Sequence, residues 1–350
     1  MQSNRTSNEG LRLNAVPHGL PDGRLPALDA ARGIAVACMV YLHLVSTDLP
    51  GGFSLLGQFL EGKAATLFFL LAGMTWRLQR TRSPLSIVKR AGALGSIGLL
   101  LHVTVWPTEV LVPLAFAMVL TRIFSNHVVF GDMLACLCAA LTLVIPIVFA
   151  GITGSDWMED GSHIADHGLS FATLRWLLID GNYPLVPWWA YTWLGFRSVV
   201  WALSAPKTTH TGLTAGFFMM VVGYCIPLLV KLTPASFHPV FISTWTPTTL
   251  AFACASLGSA IVVVLACGAT NVKWFPLVAM GRLSLSHYVT HILLVFVPLR
   301  TMWPDESWPI NIGLLCFIVW LCVALTVSPL WLTKTKRGPL EALWHRVSGA

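Results

Sequence analysis

The sequence has few charged residues for its length. Asp, Glu, Lys and Arg make up 11% of its 350 residues, against roughly 25% in an ordinary soluble domain. Hydrophobic residues make up 55%. So few charged residues cannot cover the surface of a water-soluble globule, which excludes a soluble globular protein. The apolar runs approach the length of about 20 residues that a transmembrane helix needs, and they do not alternate with polar residues, which excludes a transmembrane β-barrel.

Paired cysteine motifs and internal repeats are also missing. The eight cysteines form no CxxC pair and lie in or beside apolar runs, which excludes a disulfide framework and a zinc ribbon. No short apolar segment precedes the first long apolar run, so we expect no cleavable signal peptide. No repeat, heptad run or low-complexity segment is visible. We therefore expect a polar cytoplasmic tail over 1–23 and a single transmembrane domain over 24–346.

The apolar windows predict an all-α, polytopic membrane helix bundle. Ten spans are expected, near residues 33–49, 64–79, 92–107, 110–124, 133–151, 184–204, 212–230, 248–270, 276–299 and 310–332. The longest stretch between spans is 152–183. Its apolar part, 169–179, either lies along the membrane interface or re-enters the membrane, and both interpretations stay open.

The basic residues predict the orientation of this bundle. With the N-terminus in the cytoplasm, 18 of the 22 Lys and Arg residues fall on the cytoplasmic side, as the positive-inside rule requires. The net charge of +7 is thereby explained by topology, and no nucleic-acid partner is expected. The densest basic loop either follows the same rule or receives the phosphates of a nucleotide-containing cofactor; it contains Arg77, Arg80, Arg82, Lys89 and Arg90.

Three histidines fall at similar depth within predicted spans. His43 lies in the first span, and His287 and His291 lie four residues apart in the ninth. Ionisable groups at membrane depth are costly and suggest function, although interhelical hydrogen bonds are the alternative explanation. A zinc site would need at least one further ligand, and no second paired motif occurs, so no metal is expected.

Two polar or aromatic features lie near the predicted outer ends of the helices. Asp48 follows His43 by five residues and either supports the basicity of an imidazole or ends the helix. An aromatic cluster either forms the interfacial belt of a membrane protein or stacks against a sugar; it contains Trp176, Tyr183, Trp188, Trp189, Tyr191 and Trp193.

Five segments resemble, in order, motifs of the YeiB-like membrane proteins and of the related heparan-α-glucosaminide N-acetyltransferases. They are 24–33 (RLPALDAARG) followed by 39–43 (MVYLH), 61–73 (EGKAATLFFLLAG), 183–188 (YPLVPW), 281–291 (GRLSLSHYVTH) and 338–344 (GPLEALW). The resemblance implies a membrane acyltransferase of about ten helices. An acetyl or other acyl group would move from cytoplasmic acyl-CoA, such as acetyl-CoA, to an amine or hydroxyl acceptor at the outer side, with a glycan as one candidate.

The resemblance also implies roles for particular residues. His43 stands where the acetyltransferase branch has a catalytic asparagine, and His291 matches a histidine of that branch. The branch has another catalytic histidine in the outer loop, which this sequence lacks between Leu44 and Gly73. Direct transfer and an acyl-histidine intermediate both stay open. The implied catalytic residues are His43, Asp48, His291 and Tyr288; the implied CoA-binding residues are Arg32, Arg282, Arg77 and Arg90; the implied acceptor-side residues are Trp188 and Lys63.

Two other functional classes stay open. A transporter or flippase would also place histidines in a helix bundle, but it should show repeated halves and matching broken helices, and no repeat is visible. A non-catalytic membrane scaffold of the same fold would explain the missing outer-loop histidine. In each case we expect a multi-pass protein of a bacterial cytoplasmic membrane, with a homodimer as an open assembly.

Overall fold

A computed structural model of the chain describes most residues after the N-terminal tail. These are residues 25–45, 52–78, 83–105, 109–152, 174–204, 206–233, 241, 243, 248–269, 274–305 and 308–348. The regular elements in this part of the chain are all helical. The predicted all-α fold is confirmed.

Fourteen α-helices make up the bundle within the described residues. They are α1 (Pro26–Leu44), α2 (Gly52–Leu60), α3 (Lys63–Leu78), α4 (Pro84–Thr104), α5 (Leu111–Phe124), α6 (Val128–Ile152), α7 (Leu185–Ser204), α8 (Pro206–Cys225), α9 (Leu250–Ala269), α10 (Phe275–Arg282), α11 (Ser284–His291), α12 (Val297–Met302), α13 (Ile310–Lys334) and α14 (Pro339–Ser348). Short π-helical turns occur at Trp176–Asp180 and Ile292–Phe296, and a 3₁₀ segment, Ile226–Leu232, continues α8.

In the part of the chain that the structure describes, fewer helices have both the length and the hydropathy of a membrane span than the ten predicted. Among the described residues, seven helices are long and apolar enough to cross a membrane, or eight if a bent pair counts as one span. The predicted spans at 110–124 and 184–204 form α5 and α7, which lie outside this set; α5 has only 14 residues. The cytoplasmic placement of both termini stays a prediction.

The outer helices of the bundle and its centre differ in burial. In the most apolar windows of α6, α8 and α13, no more than 17% of the residues are buried, which is typical of helices that face lipid. By contrast, α7 lies at the centre and packs along α3. Its rings Trp188, Trp189, Trp193 and Phe196 are at most 2% exposed.

The predicted ninth span is not one straight helix. It breaks after Arg282, and the segment Ser284–Met302 is bent by 73° from α10. Leu283 lies at the break with φ −104° and ψ 21°. The depths of His287 and His291 therefore cannot be compared with that of His43 along one straight helix axis. The whole length of α11, which carries Tyr288 and His291, lies beyond the bend.

Two glycines let α10 approach α1 closely. A Cβ atom added to Gly281 would lie 1.7 Å from the carbonyl oxygen of Asp29, and one added to Gly33 would lie 2.5 Å from that of Leu277. The backbones of the two helices are therefore in direct contact, as small residues permit in membrane bundles. This contact fixes α10 relative to α1, on which His43 lies.

Candidate active site

His43 and His291 form a hydrogen-bonded pair of nearly coplanar imidazoles between α1 and α11. The Nδ1 atom of His43 lies 2.8 Å from Nε2 of His291, and the ring centroids are 5.1 Å apart at an interplanar angle of 20°. His43 lies in the last turn of α1, and His291 is the final, fully buried residue of α11. The contact agrees with the similar depth that the sequence predicted for these two residues.

The hydrogen bonds of His291 determine the tautomers of this pair. Its Nδ1 atom lies 3.1 Å from the backbone carbonyl oxygen of His287. A carbonyl can only accept, so Nδ1 of His291 carries a hydrogen. Neutral His291 then accepts at Nε2 from the Nδ1–H of His43, which places the lone pair of neutral His43 on Nε2. The chain from carbonyl to His291 to His43 therefore fixes the orientation of the His43 ring, an arrangement that a general base would require.

The helix changes its winding directly after His291. Residues Ile292–Phe296 form a π-helical turn, a feature that often occurs at functional sites because it redirects the side chains next to it. Phe296 is 1% exposed and lies edge-on to His43, with ring centroids 6.4 Å apart. The turn therefore closes one side of the histidine pair with an apolar ring.

His287 points away from this pair. Its Nε2 atom lies 2.8 Å from Oγ of Ser328 on α13. The Ser328 hydroxyl already donates to the carbonyl oxygen of Ala324, so it accepts from His287. The sequence alternative of an interhelical hydrogen bond therefore describes His287. Within the described part of the chain, no three His, Cys, Asp or Glu residues gather as metal ligands.

A small cleft of about 40 Å³ lies beside His43. Three of its lining side chains are polar, namely His43, Tyr183 and Tyr288, and apolar residues such as Met39 and Phe68 form most of the remaining wall. Apolar clefts with a few convergent polar groups are typical of small-molecule sites. Tyr288, which the sequence resemblance proposed as catalytic, is thereby placed in the same cleft as His43.

Glu109 lies behind this cleft, and the sequence reasoning did not single it out. It is 1% exposed. Its carboxylate accepts hydrogen bonds from the backbone N–H groups of Leu111 and Val112 at the start of α5 and, at 3.3 Å, from the hydroxyl of Tyr288. Burial raises the pKa of Glu109 to about 7, although the backbone hydrogen bonds act to lower it. The sequence signal for Glu109 is its position two residues before an apolar helix, where an acidic side chain can cap the first backbone N–H groups.

Trp188 does not offer a free ring to a sugar. It is fully buried, and its Nε1–H donates to Oγ1 of Thr248 at 2.9 Å. Its ring packs edge-on against Tyr183, with centroids 5.1 Å apart. Trp188 therefore supports a wall of the cleft through Tyr183, and the sequence expectation that it contacts the acceptor itself does not fit its burial.

Lys63 lies beside the turn that forms another part of the cleft wall. Gly62, a lining residue, adopts φ 66°, a left-handed conformation that glycine accepts without strain. The Nζ atom of Lys63 lies 5.5, 5.3 and 5.9 Å from the ring centroids of Phe59, Tyr224 and Phe252. These cation–π contacts fix the start of α3 next to the cleft.

The four arginines proposed to bind CoA each contact a different group. Arg32 pairs with Asp29 at 2.5 Å and donates to Thr75. Arg282 donates to the carbonyl oxygen of Lys336 at 3.2 Å. The guanidinium of Arg77 lies over Phe196, and that of Arg90, which is 8% exposed, lies over Trp344. Asp48, Arg80, Arg82 and the tail over 1–23 lie outside the described residues.

Two family models match the chain. Residues 24–223 match the catalytic region of heparan-alpha-glucosaminide N-acetyltransferase. Residues 197–350 match a family described as proteins of unknown function, DUF418, and together the two matches agree with the resemblance seen in the sequence motifs. A search of curated proteins found no match.

Proposed function

The chain belongs to the heparan-alpha-glucosaminide N-acetyltransferase catalytic family, and on that premise we propose that it is a membrane acyltransferase. It transfers an acetyl or other acyl group from acyl-CoA to an amine or hydroxyl acceptor. The observation that carries the proposal is the hydrogen-bonded chain from the His287 carbonyl through His291 to His43, at a cleft with two tyrosines.

His43 acts as the general base. Its Nε2 atom takes the proton from the acceptor amine or hydroxyl while the acceptor nitrogen or oxygen forms a bond to the thioester carbonyl carbon. The carbon–sulfur bond then breaks, and the CoA sulfur leaves with the proton returned from His43 Nε2. A base that acts in this way contributes about 10²–10⁴ to the rate.

His291 acts through His43 and does not contact the substrate. Its ring is fully buried, and both ring nitrogens lie within hydrogen-bond distance of protein atoms. When His43 takes up a proton, its Nδ1–H becomes a donor with positive charge, and the bond to His291 strengthens. His291 therefore orients the base and stabilises the imidazolium that forms during the reaction.

Tyr288 is the second polar group at the reaction centre. Its hydroxyl donates to Glu109, so its ring and oxygen are fixed at the cleft wall. We assign Tyr288 to the placement of the thioester in the cleft. Lys63 and Trp188 act one layer behind, since they hold the Gly62 turn and the Tyr183 ring in place.

The basic residues at the starts and ends of α1, α3, α4 and α10 receive the phosphates of CoA on the cytoplasmic side. Arg32, Arg77, Arg90 and Arg282 are the candidates. Arg282 is the best placed because it ends α10, two residues before the start of α11, and its Nε atom has no hydrogen-bond partner among the described residues. The acceptor approaches from the outer side of a bacterial cytoplasmic membrane, a glycan being one candidate and a homodimer one assembly.

The experiment combines ligand binding and turnover in the purified full chain. We expect millimolar CoA to raise the unfolding temperature, since a ligand that binds only the folded state stabilises it. Acetyl-CoA with a panel of amine and hydroxyl acceptors, glucosamine included, should release free CoA thiol. The matched variant His43→Ala should keep the CoA-induced shift and lose thiol release. No shift and no thiol release with any acceptor would exclude the proposal in favour of a transporter or scaffold.

A further inference from the structure

The C-terminal helix α14 carries a carboxylate that caps a different helix. Glu341 Oε1 accepts from the backbone N–H groups of Leu285 at 2.8 Å and Ser286 at 3.0 Å, and Oε2 accepts from the Ser286 hydroxyl at 2.5 Å. The residue directly before α11, Leu283, supplies no side-chain cap. Glu341 therefore satisfies N–H groups that α11 leaves open and adds negative charge at the positive end of its dipole.

The contact between α14 and α11 is close on both sides of this carboxylate. The backbone N–H of Leu340 donates to Oγ of Ser286 at 3.2 Å. A Cβ atom on Gly338 would lie 2.1 Å from Oε2 of Glu341, so only glycine fits at that position with the carboxylate in place. The first turn of α14 is thus packed directly onto the first turn of α11.

The far part of α14 is attached to α4. The Nε1–H of Trp344 donates to the backbone carbonyl of Arg90 at 2.7 Å, and the guanidinium of Arg90 lies 5.2 Å from the centre of the Trp344 ring. The helix α14 therefore connects α4 to the start of α11.

The position of α11 determines whether His291 meets His43. The helix has eight residues, and the 73° bend separates it from α10, so its first turn depends on contacts from outside. Ser286 precedes His291 by five residues, or roughly 7.5 Å along the helix. A shift of the first turn would therefore displace His291, and a displacement of about 1 Å at a catalytic group can cost 10²-fold in rate.

From these contacts we propose that Glu341 is a positioning residue of the acyltransferase, and that α14 holds α11 in the register in which His291 binds His43. The inference rests on the proposed function for its kinetic test. Its structural part, that α14 fixes α11, has a separate readout.

The test compares three variants of the full chain. Glu341→Ala should lower kcat about 10- to 100-fold with little change in KM for acetyl-CoA. Glu341→Gln should recover much of the activity, because its amide oxygen still accepts from the two backbone N–H groups. The control Arg346→Ala changes an exposed residue of the same helix and should resemble the wild type.

Hydrogen exchange followed by mass spectrometry measures the structural part without any activity. In Glu341→Ala, the amides of residues 284–296 should exchange faster than in the wild type, while those of Arg346→Ala should not. Faster exchange in a chain without transferase activity would support the contact and reject only the proposed function. Unchanged exchange in Glu341→Ala, or unchanged kcat in an active enzyme, would overturn the inference.

Discussion

The hydrogen bond between His43 and His291 predicts a specific pattern of kinetic defects. In His291→Ala the base keeps its position on α1 but loses the group that accepts from its Nδ1–H. A hydrogen bond between neutral groups contributes about 0.5–1.5 kcal/mol, and one from a charged donor about 1.5–3 kcal/mol. The bond therefore strengthens by roughly 1–1.5 kcal/mol as His43 is protonated, which corresponds to about a tenfold loss of kcat. Misorientation of the ring adds to this, so we expect a loss of about 10- to 100-fold.

The double variant separates a relay from two independent contributions. His43→Ala should lower kcat by about 10²–10⁴, the usual contribution of a general base. Because His291 acts only through His43, adding His291→Ala to His43→Ala should cost nothing further, as is found for residues that act as a unit. The assay is acetyl-CoA turnover measured as thiol release, with kcat and KM determined separately for each variant.

A third histidine provides the matched control. His287→Ala keeps the backbone carbonyl that His291 binds but removes the ring that donates to Ser328. We expect a lower unfolding temperature and a kcat close to the wild-type value. Additive losses in the double variant, or a kcat for His287→Ala as low as that for His291→Ala, would refute the relay.

Three further predictions follow from burial and close packing. The pKa of Glu109 rises from 4.5 to about 7 on folding, so between these pH values the folded chain retains a proton that the unfolded chain releases. The free energy of unfolding should therefore fall by about 3 kcal/mol as pH rises from 4.5 to 7. Thermal unfolding of Glu109→Gln should lack this decline. Gly281→Ala should destabilise the chain by about 1–3 kcal/mol or more because its Cβ would overlap the Asp29 carbonyl, whereas Gly92→Ala, with open space around its Cβ, should be tolerated in the same unfolding assay. Trp188→Phe should lower the unfolding temperature and leave KM for the acceptor unchanged; a raised KM would restore the sugar-stacking role.

The sequence was sufficient to predict the elements that follow from local composition. Apolar windows predicted the helices because each window alone satisfies the length and hydropathy of a span. His43 and His291 have similar predicted depths along their helices, and the structure places His43 Nδ1 2.8 Å from His291 Nε2. The prediction of similar depth agrees with the structure despite the bend between α10 and α11, because the end of α11 lies against the end of α1.

What the sequence reasoning missed depends on partners far along the chain. Glu109 binds Tyr288 across 179 residues, and Glu341 caps α11 from more than 50 residues away. Neither contact has a signal in hydropathy. Glu109 is recognisable only as a local cap of α5, and Glu341 replaces a cap that the residues directly before α11 do not supply. The bend after Arg282 also has no signal in hydropathy, because the segment over 276–299 is apolar enough to be predicted as one continuous helix.

The placement of charge explains how a base can function in a chain with so few charged residues. A carboxylate beside His43 would carry its full desolvation cost within an apolar cleft. The neutral imidazole of His291 instead orients His43, and the pair acquires charge only while His43 holds an additional proton. The two buried carboxylates at this end of the molecule, Glu109 and Glu341, instead lie at the first turns of α5 and α11, where backbone N–H groups solvate them and the helix dipole favours negative charge. The same carboxylates bind Tyr288 and Ser286, both on α11. The helix that carries His291 is therefore held at two points by carboxyl groups that lie behind the cleft. Among the described residues, the histidine pair of the proposed reaction centre is neutral until His43 takes up a proton.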